Sequence, residues 1–117
     1  MHNHLKGYLG ERLALMYLCL HGLKLVTRNY RCKYGEIDLI MQDGNISVFI
    51  EVKSRLKHAF RHERLHVDYR KQQRIILTSQ FFLWHHAQCL DSEIRYDIVI
   101  IQLSNLDFAW YQDAFSP

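Results

Sequence analysis

Two short apolar stretches in this chain are each interrupted by a pair of ionised side chains. Glu36 and Asp38 sit within Gly35-Glu36-Ile37-Asp38-Leu39-Ile40, and Glu51 and Lys53 within Val48-Phe49-Ile50-Glu51-Val52-Lys53. Burying an unpaired charge is very costly, so core-like strands seldom carry one without a reason. Carboxylates gathered at one place repel each other unless a cation joins them. Mg²⁺ does so with one or two protein carboxylates while keeping several waters, and Mn²⁺ accepts the same oxygen donors. Lys53 lies two residues from Glu51, hence on the same side of a strand. Its ammonium can orient an attacking water or stabilise charge building on phosphorus. Asp38, Glu51 and Lys53 are therefore the candidate catalytic residues. Asp38 and Glu51 are candidate metal ligands, with Glu36 as a further one. The competing explanation is an ordinary surface ladder, in which Glu51 pairs with Lys53 or Arg55 on a sheet open to water.

The spacing between the two stretches decides whether the acids can meet. Asp43-Gly44 is a strong hairpin signal, because both positions tolerate positive φ. A two-residue turn there pairs Gln42 with Asn45, Asp38 with Phe49 and Glu36 with Glu51. Opposed residues share a face, so Glu36, Asp38, Glu51 and Lys53 all point to one side. A four-residue loop keeps that register, whereas a three-residue loop slips it by one and separates the acids.

The elements that must hold these residues follow from periodicity. Residues 4–21 read as a helix, with Leu5, Leu9, Leu13, Met16, Tyr17 and Leu20 at three- and four-residue spacing. Asn3 is placed to cap it and Gly22 to end it. Its second half is apolar nearly all round, which predicts deep packing. Residues 23–31, 36–42 and 46–55 read as strands, 57–66 as a polar irregular loop, 67–87 as a second helix and 94–103 as a strongly apolar strand. Residues 106–115 are candidates for one more edge strand. The order is α-β-β-β-α-β with that possible addition, an α/β pattern within one domain spanning residues 1–117.

Charge is unevenly placed. Between residues 53 and 74, eight Lys or Arg face two acids, leaving that segment at +6 in a chain whose net charge is +3. A concentrated basic segment suits a polyanion, although a solvated helix end explains it equally well. Arg55, Lys57, Arg70, Lys71 and Arg74 are the candidate nucleic-acid contacts, through phosphate charge. Tyr69 could stack on a base, or simply pack. His58, His62 and His66 would align on a helix as a zinc face, and His85-His86 form a pair, but surface histidine is the simpler account of both. Phe81, Phe82 and Trp84 read as core, and Trp110 as cover for an edge.

The chain has 117 residues, 49% of them apolar and 23% charged, as a globular domain requires. The three cysteines, Cys19, Cys32 and Cys89, are odd in number and form no C-x-x-C pair; Cys19, within an apolar run, reads as a buried thiol. Reduced cysteines and the lack of a secretion signal point to the cytoplasm. The longest apolar stretch, residues 13–20, is too short to cross a bilayer.

Several motifs together resemble one family. Gly10-Glu11-x-x-Ala14, Arg28-Asn29-x-Arg31, Gly35-Glu36-Ile37-Asp38-Leu39-Ile40, Phe49-Ile50-Glu51-Val52-Lys53-Ser54-Arg55, Val67-x-x-x-Lys71-x-x-Arg74-Ile75 and Arg95-Tyr96-Asp97-Ile98-Val99 are similar to the YraN family of small bacterial proteins. That family is related to Holliday-junction resolvases and to the PD-(D/E)XK nucleases. The resemblance implies a restriction-endonuclease-like core, three layers α-β-α around a mixed sheet of order αβββαβ. It also implies that Asp38 and Glu51 bind metal, that Lys53 is the catalytic lysine, and that Glu11 is an additional acid at the site. Where the family shows Phe-Gly after the third strand, this chain has Phe60-Arg61. The expected function is Mg²⁺- or Mn²⁺-dependent endonucleolytic hydrolysis of DNA, branched or structured DNA included. The alternative is a non-catalytic nucleic-acid-binding module on the same fold. The expected partner is DNA, with a homodimer or a DNA-processing protein as further candidates and no membrane.

Overall fold

The structure is a computed structural model in which residues 3–56, 67–86 and 93–117 are described. In chain order the elements are α1 (Asn3–Leu20), β1 (Lys24–Cys32), β2 (Gly35–Asp43), β3 (Ile46–Arg55), α2 (Tyr69–His85), β4 (Glu93–Gln102) and β5 (Asp107–Phe115). The strands form one sheet in the order β1-β2-β3-β4-β5. β3 and β4 run parallel and the other neighbours antiparallel. A parallel pair needs a long crossover, and the connection containing α2 supplies it. The edge strand expected after β4 is present as β5.

The two helices lie on opposite faces. Ala14 and Leu18 of α1 pack with Leu39, Met41, Val48, Ile50 and Val99. Ile75, Ile76 and Phe82 of α2 pack with Ile37, Ile40, Phe49 and Ile98. This is the three-layer α-β-α arrangement. β2 and β3 are apolar on both faces because both faces are covered.

Three expectations about packing are corrected. α1 is not buried all round: Met16 is 59% and Leu20 86% exposed. Its buried face is Gly10, Ala14 and Leu18, at i, i+4 and i+8. Large apolar residues occur on every side of this helix, so their spacing does not select the face, and small residues let it press onto the sheet. Cys19, one residue beyond Leu18, is accordingly exposed. Trp84 is 79% exposed while Phe82 is 1% exposed. Two residues on a helix turn through about 200°, so the pair cannot both face the core. Cys89, the loop at 57–66 with His58, His62 and His66, and Lys57 lie outside the described residues.

Element ends follow local chemistry. Gly22, at φ +94°, terminates α1, and Leu23 N–H reaches back to the Leu18 carbonyl at 3.1 Å. Asp68 caps α2, its carboxylate accepting from Lys71 N–H at 2.8 Å. The hairpin turn is shifted by one residue from expectation. Asp43 pairs with Ile46, leaving Gly44-Asn45 as the turn, with Gly44 at φ +61°. The observed register, Leu39 with Ile50 and Ile40 with Phe49, is offset by two residues from the expected one. An even offset preserves faces, and continuing it sets Asp38 across from Glu51.

Alternation breaks at Asp38. Ile37 and Ile40 both join the α2-side core, whereas Leu39 joins the α1 side. On β1, Asn29 stands at the matching position with φ +52°. The paired positions run from Leu39 directly to Ile37, with Arg28 and Tyr30 as partners. The β2–β3 pairing ends at Leu39 and Ile50. Beyond it Val52 N–H donates to the Asp38 carboxylate at 2.8 Å. A side chain thus closes the ladder where the two strands part.

Candidate metal and phosphodiester site

The gap between the parting strands is a pocket of about 340 Å³. Glu11 reaches it from α1, Asp38 from β2, Glu51, Lys53 and Arg55 from β3, and Lys71 from α2. Glu51 is 6% exposed and, one residue beyond the core positions of β3, is flanked by apolar neighbours. Lys71 forms an ion pair with it. The Asp68 cap fixes where α2 begins, which sets Lys71 on the turn facing β3. Glu11 depends on a close helix approach. A Cβ built on Gly10 would lie 1.6 Å from Ser54 Oγ and 2.9 Å from Ser54 Cβ, so only glycine lets α1 come this near β3.

Two of the three carboxyl groups, Asp38 and Glu11, are disfavoured as anions. Burial, then the neighbouring Glu51 carboxylate, push the Asp38 pKa up to about 8, against the opposing Val52 N–H. The Glu11 carboxylate adds to this. Glu11 is raised as well, by burial and then by Glu36. Burial works against the Lys71 ammonium, yet its hydrogen bond and charge contact with Glu51, and the charge of Asp38, more than offset this and raise its pKa.

Asp97 provides a contrast within the same sheet. It is 0% exposed, and its oxygens accept from Arg95 Nε at 3.0 and 3.2 Å, Arg95 Nη2 at 3.1 Å, Trp110 Nε1 at 2.9 Å and Asp113 N–H at 2.9 Å. Arg95 goes on to Asp43 at 3.0 Å. That carboxylate is fully provided for by the fold, whereas Asp38 accepts from the Val52 N–H with the Glu51 carboxylate beside it, and Glu51 pairs with Lys71.

The structure brings Asp38, Glu51, Lys53, Glu11 and Arg55 together in the pocket. Glu36 is turned to Arg31, whose Nε donates to it at 2.8 Å, and it does not line the pocket. Lys71, expected on the phosphate-facing surface, enters the pocket instead, while Arg70 and Arg74 are exposed on α2. Lys6, which carried no signal in the sequence, lines the pocket from α1. His85 and His86 hydrogen-bond the Phe81 and Phe82 carbonyls, each at 2.8 Å, and stack on those rings, as ordinary residues at a helix end.

The donor set suits a hard divalent cation: carboxylate oxygens, an open pocket with room for water, and neither thiolate nor imidazole. Among the described residues, no group of three or more His, Cys, Asp or Glu side chains is placed to hold a metal ion, and Mg²⁺ needs only one or two protein carboxylates beside its waters. Among the described residues, too, no helix is long and apolar enough to cross a membrane.

Residues 10–101 match the family described as "Uncharacterised protein family UPF0102". Relatives of similar length include a "UPF0102 protein" of Methylobacillus flagellatus, 39% identical over 107 residues, covering 91% of this chain and 92% of that protein. One from Legionella pneumophila strain Corby is 39% identical over 110 residues, 94% and 93% of the two chains. One from Stutzerimonas stutzeri strain A1501 is 40% identical over 111 residues, 93% and 92%.

Proposed function

The chain belongs to the UPF0102, or YraN, family, and from that premise and the acid cluster we propose that it is a metal-dependent endonuclease acting on phosphodiester bonds of DNA, branched or structured DNA included. The observation that carries this is the convergence of Glu11, Asp38 and Glu51 from three separate elements on one open pocket with Lys53. Asp38 is forced to hold a proton there up to about pH 8.

Mg²⁺ or Mn²⁺ held by Asp38 and Glu51, with Glu11, would lower the pKa of a water and offset charge on the phosphoryl oxygens. The protein's own part is positioning. Lys53 orients the attacking water and donates to the developing negative charge. The water oxygen forms a bond to phosphorus as the bond to the leaving strand oxygen breaks, and the water's proton passes to solvent. Lys71 holds Glu51 in place through their ion pair. Arg55, Arg70 and Arg74 hold the flanking phosphates by charge.

The alternative function, a nucleic-acid-binding module that cleaves nothing, is favoured by one feature: the Lys71 ammonium already neutralises Glu51. A cleavage screen with Mg²⁺ and Mn²⁺ over linear, flapped and four-way DNA separates the two, with Asp38→Ala, Glu51→Ala and Lys53→Ala as controls. The nuclease proposal expects metal-dependent cleavage by the wild type and loss in all three folded variants. Equal cleavage by the variants, or a calorimetric titration showing no Mn²⁺ binding, overturns it.

A further inference from the structure

The outer face of α2 carries a second surface that the carboxylate pocket does not use. Arg70, Arg74, Leu77, Phe81 and Trp84 follow one another at i, i+4, i+7, i+11 and i+14. At about 100° per residue they fall within about 80° of arc, a single stripe. Leu77 is 44% and Trp84 79% exposed, the two arginines are exposed, and Phe81 is half-buried. Tyr34, from the β1–β2 turn, stands edge-on to Phe81 with ring centres 6.0 Å apart. Leu77, Phe81 and Trp84 of the stripe line an open groove of about 380 Å³ with Tyr34, Gln80 and His85.

The groove lining and α2 carry no carboxylate: none of the lining residues is acidic, and α2 contains no Asp or Glu along its whole length. Arg70 and Arg74 precede the aromatic half of the stripe, and Lys33 Nζ lies 5.2 Å from the centre of the Tyr34 ring. Flat rings open to solvent, with cations near them and no carboxylate in the lining, complement a ligand with flat aromatic faces on an anionic backbone. An aliphatic protein helix would gain nothing from the arginines. The stripe also begins beside the pocket, since Lys71 of the same first turns pairs with Glu51. From Arg70 to Phe81 the helix rises about 16 Å, the length of about five stacked nucleotides at 3.4 Å each.

We propose that the outer stripe of α2, with Tyr34, is a stacking site for unpaired bases of a single-stranded segment next to the scissile phosphodiester, which assigns the enzyme to nucleic acid with a single-stranded branch or end. This rests on the nuclease proposal for what happens at the pocket, but not for binding. Arg70 and Arg74 guide the backbone, and the Trp84, Phe81 and Tyr34 rings take the bases.

Fluorescence anisotropy in EDTA tests it on the whole chain. The probes are a labelled oligothymidylate of about 12 nucleotides, a blunt duplex, and that duplex with a single-stranded flap. Trp84→Ala, at an exposed position that leaves the core untouched, is expected to weaken oligothymidylate and flap binding about ten-fold and duplex binding less than about two-fold. Arg74→Ala should weaken all three and flatten their salt dependence. No effect of Trp84→Ala on any probe overturns the stacking site, even if the wild type cleaves duplex with Mn²⁺. So does a Trp84→Ala variant that merely turns a dimer into a monomer in sedimentation, since the groove would then be a self-interface. Trp84-dependent strand binding without any metal-dependent cleavage upholds the stacking site and overturns the nuclease. Binding to none of the probes overturns the stacking site, and the nuclease falls with it only if Mn²⁺ restores neither binding nor cleavage.

Discussion

Asp38→Asn should stabilise the metal-free protein at alkaline pH and leave it unchanged in acid. Asparagine reproduces the protonated carboxyl: its carbonyl accepts the Val52 N–H that Asp38 now accepts at 2.8 Å, and its amide donates to Glu51. In the folded chain the Asp38 pKa rises from an ordinary 3.8 to about 8. Between those values the folded state holds a proton that the unfolded state has lost, so stability falls as pH rises through that window. At about 1.4 kcal/mol per unit, the roughly four units between 3.8 and 8 set a ceiling of about 6 kcal/mol. The pocket is open to solvent, and a third of that ceiling gives an expected gain of Asp38→Asn at pH 8 of about 2 kcal/mol, or about 10 °C in a domain this size. Thermal and urea melts followed by circular dichroism from about pH 3.5 to 9, at low salt with EDTA, measure it. At about pH 3.5 the two proteins should agree within about 0.5 kcal/mol. Adding Mn²⁺ at about a hundredfold excess over its Kd should return about 2.7 kcal/mol to the wild type at pH 8 and less to the variant. Parallel stability curves for the two proteins across this range would refute the raised Asp38 pKa.

Gly10→Ala should cost about 1–3 kcal/mol of stability despite alanine's better helix propensity, because its Cβ meets Ser54. It should also lower any cleavage by displacing Glu11. Ser54→Gly in the same chain removes both clashing atoms and should restore much of each, read by melts and by the cleavage assay. Asp97→Ala should destabilise by about 3–5 kcal/mol, because it leaves the Arg95 guanidinium, 12% exposed at its side chain, with only Asp43. Urea titration checks this, and a loss below about 1 kcal/mol would contradict the structural role given to Asp97.

Much of the fold was legible because apolar runs and turn or cap signals bound each element. β3 begins and ends at the residues its apolar run indicated, and the αβββαβ order with its extra strand is observed. The convergence of Asp38 and Glu51 was legible from a hairpin signal and even spacing, even though the turn sits one residue later than expected. That shift was harmless because an offset of two returns each side chain to its own face. What was not legible is the kink at Asn29 and Asp38. It needs a positive φ on one strand and a side-chain hydrogen bond closing the next, and neither leaves a periodic trace. The burial of α1 through Gly10 and Ala14 was hidden because small residues carry little hydrophobic signal. Lys71 and Arg70 are indistinguishable as charges in sequence. Only the Asp68 cap, by fixing where the helix starts, decides which of them turns inward.

An acid inside an apolar strand therefore has two physical meanings, and this sheet contains both. Asp97 was as anomalous in sequence as Asp38, and the fold meets its charge with a guanidinium, an indole N–H and a backbone N–H. Such a group is bound by folding itself, and nothing from outside can improve on its partners. Asp38 and Glu51 occupy the adjoining strands, yet burial and the neighbouring carboxylate hold Asp38 above the ordinary range. That arrangement costs stability as pH rises, and under the proposed function a cation would relieve it. A sheet that can satisfy one buried carboxylate completely has no structural need to set two others side by side. Their repulsion is what a divalent ion would meet, and the basic and aromatic stripe beginning one residue before Lys71 is what would bring an anionic strand to it.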